Sequence, residues 1–255
     1  MTPKIRLRGL RKAFGAKQVL DGVELDVRAG HSMVLLGGSG SGKSVTIKCI
    51  LGLIPPDAGT IEIDGANVAR MSRAERENLR DRTGMLFQNG ALFDSLPVWE
   101  NVTFKLLAQK RITRAAARDA SAEALAQVGL DASVGDLSPA ELSGGMQKRV
   151  ALARAIAARP EIVFFDEPTT GLDPIMGAVI DGLIVDCVKK LGATAFSITH
   201  DMASARRIGD DAAMIHKGRI VWTGAATALG ATGHAMVDQF ARGERDGPIA
   251  MELRR

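Results

Sequence analysis

Residues 37–44 read Gly-Gly-Ser-Gly-Ser-Gly-Lys-Ser, a match to G-x-x-x-x-G-K-[ST]. Glycines let a backbone curl until its N–H groups wrap phosphate oxygens. Lys43 would reach the β- and γ-phosphates of a nucleotide, and Ser44 would bind Mg²⁺. The flanks fit this chemistry. An apolar run at 33–36 precedes the loop. Ile47, Ile50, Leu51 and Ile54 follow on one stripe of a predicted helix over 43–54, which Pro55-Pro56 stops.

Further positions have the chemistry to complete such a site. The apolar stretch 162–165 ends in Asp166 and Glu167, and the carboxyl end of a buried strand is where an open α/β sheet receives its ligand. Asp166 would hold the Mg²⁺ shell there. Glu167, pointing elsewhere, would polarise an attacking water; the alternative for the pair is to cap a surface turn. Gln88 follows the strand-like run 84–87, where an amide touches metal and water without adding charge, although a glutamine in a loop also serves as a plain solvated residue. His200 ends another strand-like run, Ser197-Ile198-Thr199-His200, as a donor to the γ-phosphate or as a helix cap or core histidine. Phe14, just before Gly15, offers a flat surface for an adenine in a chain without tyrosine; a core phenylalanine is the alternative. Finally, Ser143, Gly144 and Gly145 stand at the mouth of a run that looks helical, ELSGGMQKRV. A helix mouth attracts an anion through its outward N–H groups and its dipole. One ATP-sized ligand does not obviously need both this mouth and the loop at 37–44.

Elements must hold these residues in place. Residues 23–27 and 60–64 alternate apolar and polar, the period of antiparallel strands with one wet face, and Asp64-Gly65 turns the second. Residues 33–36, 84–87, 162–165 and 195–198 are apolar throughout, as parallel strands covered by helices are. A capping box, Ser72-Arg73-Ala74-Glu75, opens a short charged helix; an Ala-rich helix over 113–128 ends at Gly129; Asp173-Pro174 starts another. The predicted organisation is an α/β core over 3–88 and 161–225 and a mostly helical insertion at about 89–160, within one domain spanning 3–240. A tail over 226–255 carries a short amphipathic patch, Met236, Val237 and Phe240, before a Gly-Pro break at 247–248.

The 255 residues are 46% hydrophobic and 24% charged, which suits one large globular domain, or a core with a smaller lobe, and excludes a disordered chain. A net charge of +4 fits a solvated surface first, then anionic ligands or an anionic membrane face. With no dense Lys/Arg block interleaved with aromatics, nucleic acid is not an expected partner. Cys49 and Cys187 lack metal-type spacing and read as small buried hydrophobes in a reducing compartment; Cys187 shares a helix face with Ile180, Leu183, Ile184 and Leu191. No signal-peptide pattern opens the chain, and no apolar run approaches the ~18 residues that span a bilayer. A soluble protein that docks on a membrane protein is the expectation.

Taken in order, the loop at 37–44, Gln88, Leu142-Ser143-Gly144-Gly145-Met146-Gln147, Asp166-Glu167, Gly171-Leu172-Asp173-Pro174 and His200 resemble the motifs of the ATPase subunit of ABC transporters. The resemblance covers about residues 3–225. It implies an α/β P-loop NTPase fold of ABC type: a parallel-sheet core, an N-terminal antiparallel β subdomain and a helical insertion. It also implies ATP and Mg²⁺ as ligands. Gly37, Gly38, Ser39, Gly40, Ser41, Gly42, Lys43 and Ser44 match Walker A, with Val45 beside them as a nucleotide contact. Phe14 matches the adenine-stacking aromatic, usually Tyr in the family, and stacking survives that change. Gln88 matches the Q-loop, Ser143, Gly144 and Gly145 the signature, Asp166 Walker B, Glu167 the catalytic base, Asp173 the D-loop and His200 the switch histidine. The metal ligands would be Ser44, Gln88 and Asp166.

In this family two subunits pair head to tail, and the signature of one caps the γ-phosphate held by the other. Ser143 and Gly145 would therefore face an ATP bound to a second copy. More finely, residues 88–104 and 239–249 are similar to the Mla/Mkl group, whose ATPases power phospholipid movement with a permease and an MCE-domain protein. That implies a peripheral protein on the cytoplasmic face of the inner membrane. Leu92, Phe93, Leu96, Val98 and Trp99 would then form a permease-docking surface or else the helical lobe's own core, and the tail would reach over the partner ATPase. The motor of an importer for a polar solute, such as an amino acid, shares the core motifs. A soluble ABC-type ATPase is the remaining alternative.

Overall fold

The structure, a computed structural model, describes residues 2–249. Its described residues form two compact units, 2–70 with 197–249 and 71–196.

The first unit opens with the antiparallel hairpin β1 (Ile5–Phe14) and β2 (Lys17–Val27), which places Phe14 opposite Lys17 at its tip. β3 (Ser32–Leu36), α1 (Lys43–Ile50), β4 (Ala58–Ile63) and β5 (Ala66–Asn67) follow. A four-stranded sheet runs β2-β1-β4-β5. Its Ile5, Leu7, Leu10, Val23, Leu25, Val27, Ile61 and Ile63 are buried and alternate with wetter neighbours, as a sheet with one solvated face requires. Asp64 and Gly65 both take positive φ, 52° and 79°, the geometry a two-residue hairpin turn needs. α1 is shorter than the predicted 43–54. Gly52 turns left-handed, and the N–H groups of Gly52 and Leu53 return to the carbonyls of Cys49 and Lys48. This Schellman turn ends the helix before the prolines are reached.

The second unit opens with α2 (Arg73–Asp81) and its capping box: the Glu75 N–H donates to Ser72 Oγ at 3.3 Å, and the Ser72 N–H to Glu75 Oε2 at 2.7 Å. β6 (Thr83–Leu86), α3 (Val98–Ala108), α4 (Arg114–Gln127), α5 (Gly144–Ile156), β7 (Ile162–Asp166) and α6 (Pro174–Leu191) follow. β8 (Thr194–Ile198) carries the chain across the boundary into the first unit. β6, β7 and β8 lie side by side, with β6 and β7 parallel. Residues 162–165 are completely buried, the two-faced covering expected of an unbroken apolar strand. Gly84 of β6 sits so close to α5 that a Cβ there would lie 2.2 Å from the Ala155 carbonyl oxygen.

α3 buries Val98, Trp99, Asn101 and Val102. Asn101 organises the loop before it, accepting from the Phe93 N–H at 2.7 Å and donating to the carbonyls of Phe93 and Leu96. The Trp99 ring meets the guanidinium groups of Arg114 and Arg118, 5.1 and 4.8 Å from its centroid. The apolar residues of 88–104 thus divide: Val98 and Trp99 are core, while Phe93 is 42% exposed with its ring 4.6 Å from that of Phe104.

Back in the first unit come α7 (Met202–Ile208), β9 (Asp211–His216), β10 (Arg219–Ala225) and α8 (Ala235–Arg242). β9 pairs parallel with β3 and antiparallel with β10. In the tail, the Gln239 amide donates to the carbonyls of Glu244 and Ile249 and accepts from the Ile249 N–H, which folds 244–249 back onto α8. Residues 250–255 of the tail lie outside the described residues. Cys49 and Cys187 are both free and buried. Among the described residues no helix is long and apolar enough to cross a membrane.

Candidate nucleotide site

The glycine loop joins β3 to α1 in the first unit. Gly42 is the N-cap of α1, with φ 113°, and a glycine supplies no capping side chain. The outward N–H groups of the first turn are thereby left for a ligand. Ser41 Oγ is buried without a hydrogen-bond partner, a polar atom consistent with a bound group completing the loop. Lys43 is 9% exposed and donates Nζ to the carbonyls of Gly37, at 2.6 Å, and Gly38, at 3.0 Å. A cleft of about 320 Å³ opens here, lined by Phe14, Lys17, Val19 and residues 40–45. Ser44 and Val45 thus share a wall with the aromatic ring, and Ser39 is exposed just before them. Phe14 is 49% exposed, so it is not a core residue, and Lys12 Nζ stands 5.6 Å from its ring centroid. His200, in the same unit, follows β8 and is exposed. It does not cap α7: Asp201 does, accepting from the N–H groups of Ala203 and Ser204.

The second unit gathers the carboxylates. β6 and β7 run parallel, with Leu86 beside Phe165, so Gln88 and the Asp166-Glu167 pair leave adjacent strands at the same end. Glu167 has φ 51°, a left-handed conformation that separates its side-chain direction from that of Asp166. It is 9% exposed and accepts from Thr170 Oγ1 at 3.3 Å. Lys148 of α5, buried, donates to the Gln88 carbonyl. Burial pushes its ammonium below the usual lysine range, against the opposing pull of Asp166 and Glu167.

The same unit builds the helix mouth. Ser143 is the N-cap of α5, and its Oγ accepts from the Met146 N–H at 3.3 Å. Gly144 is exposed, while Gly145 packs on α6, where a Cβ would meet Met176 Sδ at 3.1 Å. Asp173 caps α6, accepting from the N–H groups of Ile175 and Met176. Met176 therefore links the mouth of α5 to Asp173. Lys148, Thr170 and Met176 carry no motif of their own. Lys148 shows in the sequence only as a cation on the helix behind Ser143, because its acceptor is a backbone carbonyl that no side-chain pattern announces.

A G-x-x-x-x-G-K-S loop after a parallel strand, paired carboxylates at the end of another, and a Ser-Gly-Gly helix mouth are the marks of an ATP-binding cassette. Residues 20–170 match the family described as ABC transporter. The chain is 40% identical over 97% of its length to the "Probable ribonucleotide transport ATP-binding protein mkl" of Mycobacterium leprae, covering 71% of that protein. It is 38% identical over 96% of its length to the "Intermembrane phospholipid transport system ATP-binding protein MlaF" of Escherichia coli K12, covering 91% of that protein. Among solved structures, the ATP-binding cassette MJ0796, a dimer in a post-hydrolysis state with ADP and Pi, superposes with a TM-score of 0.79 at 30% identity, over 87% of this chain and 98% of that one. The chain belongs to the ABC transporter family. It is its ATP-binding, ATP-hydrolysing subunit, with the α/β fold of an ABC cassette.

Proposed function

We propose that this ATPase powers phospholipid transport in a membrane complex containing a permease and an MCE-domain protein. The observation that carries the reading is similarity along nearly the whole length of the MlaF relative, whose name specifies intermembrane phospholipid transport. The chain would sit on the cytoplasmic face of the inner membrane. Phe93 and Phe104, adjacent and each 42% exposed, are the surface offered to the permease.

Within the site, Phe14 stacks on adenine, residues 37–45 hold the phosphates, and Glu167 orients the attacking water with His200 beside the γ-phosphate. Ser44, Gln88 and Asp166 bring hydroxyl, amide and carboxylate oxygens, the hard donors that Mg²⁺ takes, and would hold that ion. Bound there, Mg²⁺ would neutralise phosphate charge. Ser143, Gly144 and Gly145, with Asp173, serve the ATP of a second copy; the dimeric cassette among the structural neighbours supports that pairing. The tail would reach the partner ATPase, and dimerisation and ATPase activity unchanged after deletion of residues 240–255 would remove that part.

Glu167→Gln should keep ATP binding, stop turnover and accumulate a closed dimer in light scattering with ATP. Turnover at the wild-type rate would show that the base lies elsewhere. Capture of the chain from detergent-solubilised membranes should bring an integral permease and phospholipid. The ribonucleotide-transport name of the mkl relatives favours a second reading, a polar solute. A permease recovered without phospholipid would decide for it.

A further inference from the structure

α5 begins at the Ser143 mouth and runs along the loop that follows Gln88. Three residues on one side of it meet that loop's backbone. Lys148 donates to the Gln88 carbonyl. Ala151 packs on Gly90, whose added Cβ would lie 3.6 Å from the alanine methyl. Arg154 donates to the Gly90 and Ala91 carbonyls, the latter at 2.7 Å. The loop itself is unusual: Gly90 and Ala91 take φ 70° and 49°, so an alanine sits in left-handed space that the surrounding contacts must hold. Lys148 is 7% exposed, so its bond to the Gln88 carbonyl is made away from solvent.

We propose that Lys148 is a positioning residue for ATP hydrolysis: from the helix behind Ser143 it fixes the Gln88 backbone, tying that loop to the helix mouth. This rests on the reading of Gln88 and Glu167 given above. Lys148 touches neither the nucleotide nor the water. It sets where the residues that touch them stand. A buried ammonium does this well, because a charged donor held out of solvent grips a backbone carbonyl more firmly than a neutral one.

The test is steady-state ATPase and equilibrium nucleotide binding on the full chain carrying Lys148→Met, Lys148→Gln or Lys148→Arg, with thermal unfolding alongside. Lys148→Met should lower kcat by roughly 10²-fold, the penalty for displacing a reacting group by about 1 Å. Its nucleotide affinity should stay near wild type, because the phosphate loop is untouched, and its unfolding midpoint should fall only by the worth of one buried hydrogen bond. Lys148→Gln keeps a donor without the charge and should recover part of the loss; Lys148→Arg keeps both and should recover more. Wild-type kcat in Lys148→Met overturns the proposal. Joint loss of nucleotide binding and thermal midpoint in the Met and Gln variants also overturns it, since Lys148 would then act only on stability. Glu167→Gln, measured in parallel, tests the underlying reading by itself: its turnover reports on the base whatever Lys148 does.

Discussion

Lys43 Nζ donates to the Gly37 carbonyl at 2.6 Å, so the cation expected to grip phosphate also clasps its own loop. Lys43→Ala removes both functions. Nucleotide binding should weaken by about 10²-fold, roughly 2.7 kcal/mol. The fold should lose about 1–3 kcal/mol from broken charge-assisted hydrogen bonds. Fluorescent-nucleotide titration and denaturant melts measure the two losses; unchanged affinity would remove Lys43 from the phosphate site.

At Gly42, φ is 113°, and a Cβ would stand 2.6 Å from Leu20 Cδ2 and 3.0 Å from the Val19 carbonyl oxygen. Gly42→Ala should cost about 1–3 kcal/mol in strain and abolish nucleotide binding. Gly38 has open space around it and an ordinary φ, so Gly38→Ala should fold like wild type. Equal melting midpoints for the two variants would contradict this.

The Phe14 ring contributes little to the core, so Phe14→Ala should leave the unfolding midpoint unchanged. ATP affinity should fall by about three- to tenfold, the worth of one aromatic stacking contact. Phe14→Tyr should bind as wild type does. A large drop in stability with unchanged affinity would assign the ring to the fold instead.

Burial pushes the Cys187 thiol up to about 11 and raises that of Cys49. The thiolate is the reactive form. Iodoacetamide at pH 8 should therefore leave both cysteines unmodified in the native protein and alkylate both after denaturation, as mass spectrometry would record.

Asp238 accepts from the N–H and hydroxyl of Thr232 and from the Gly233 N–H, which hold its carboxyl below the usual aspartate range. A folded-state pKa below the unfolded one gives stability that is present above the unfolded value and lost as pH falls through the folded value. Amide protection in α8 should decline as pH drops below about 4. Asp238→Asn should flatten that decline; an identical decline in the variant would show that another group governs it.

Period-two alternation and unbroken apolar runs marked the strands because burial on one face or two dictates them directly. Helices with chemical caps, at Ser72, Thr113 and Asp173, were equally readable. α1 ends earlier than its apolar stripe suggests, because Gly52 stops it before the more conspicuous prolines do. α3 stayed hidden: it follows Pro97 without a side-chain cap, and its buried polar residue, Asn101, interrupts the apolar stripe. Motif spacing points to site residues through their own side chains or N–H groups. It could not reach Lys148 or Arg154, whose acceptors are backbone carbonyls 60 or more residues upstream.

At Gly84 nothing bulkier than a hydrogen separates β6 from the α5 backbone at Ala155. Strand and helix are thereby seated with no slack at this joint. Any side chain inserted at this joint would act as a wedge and turn a stiff linkage into a loose one.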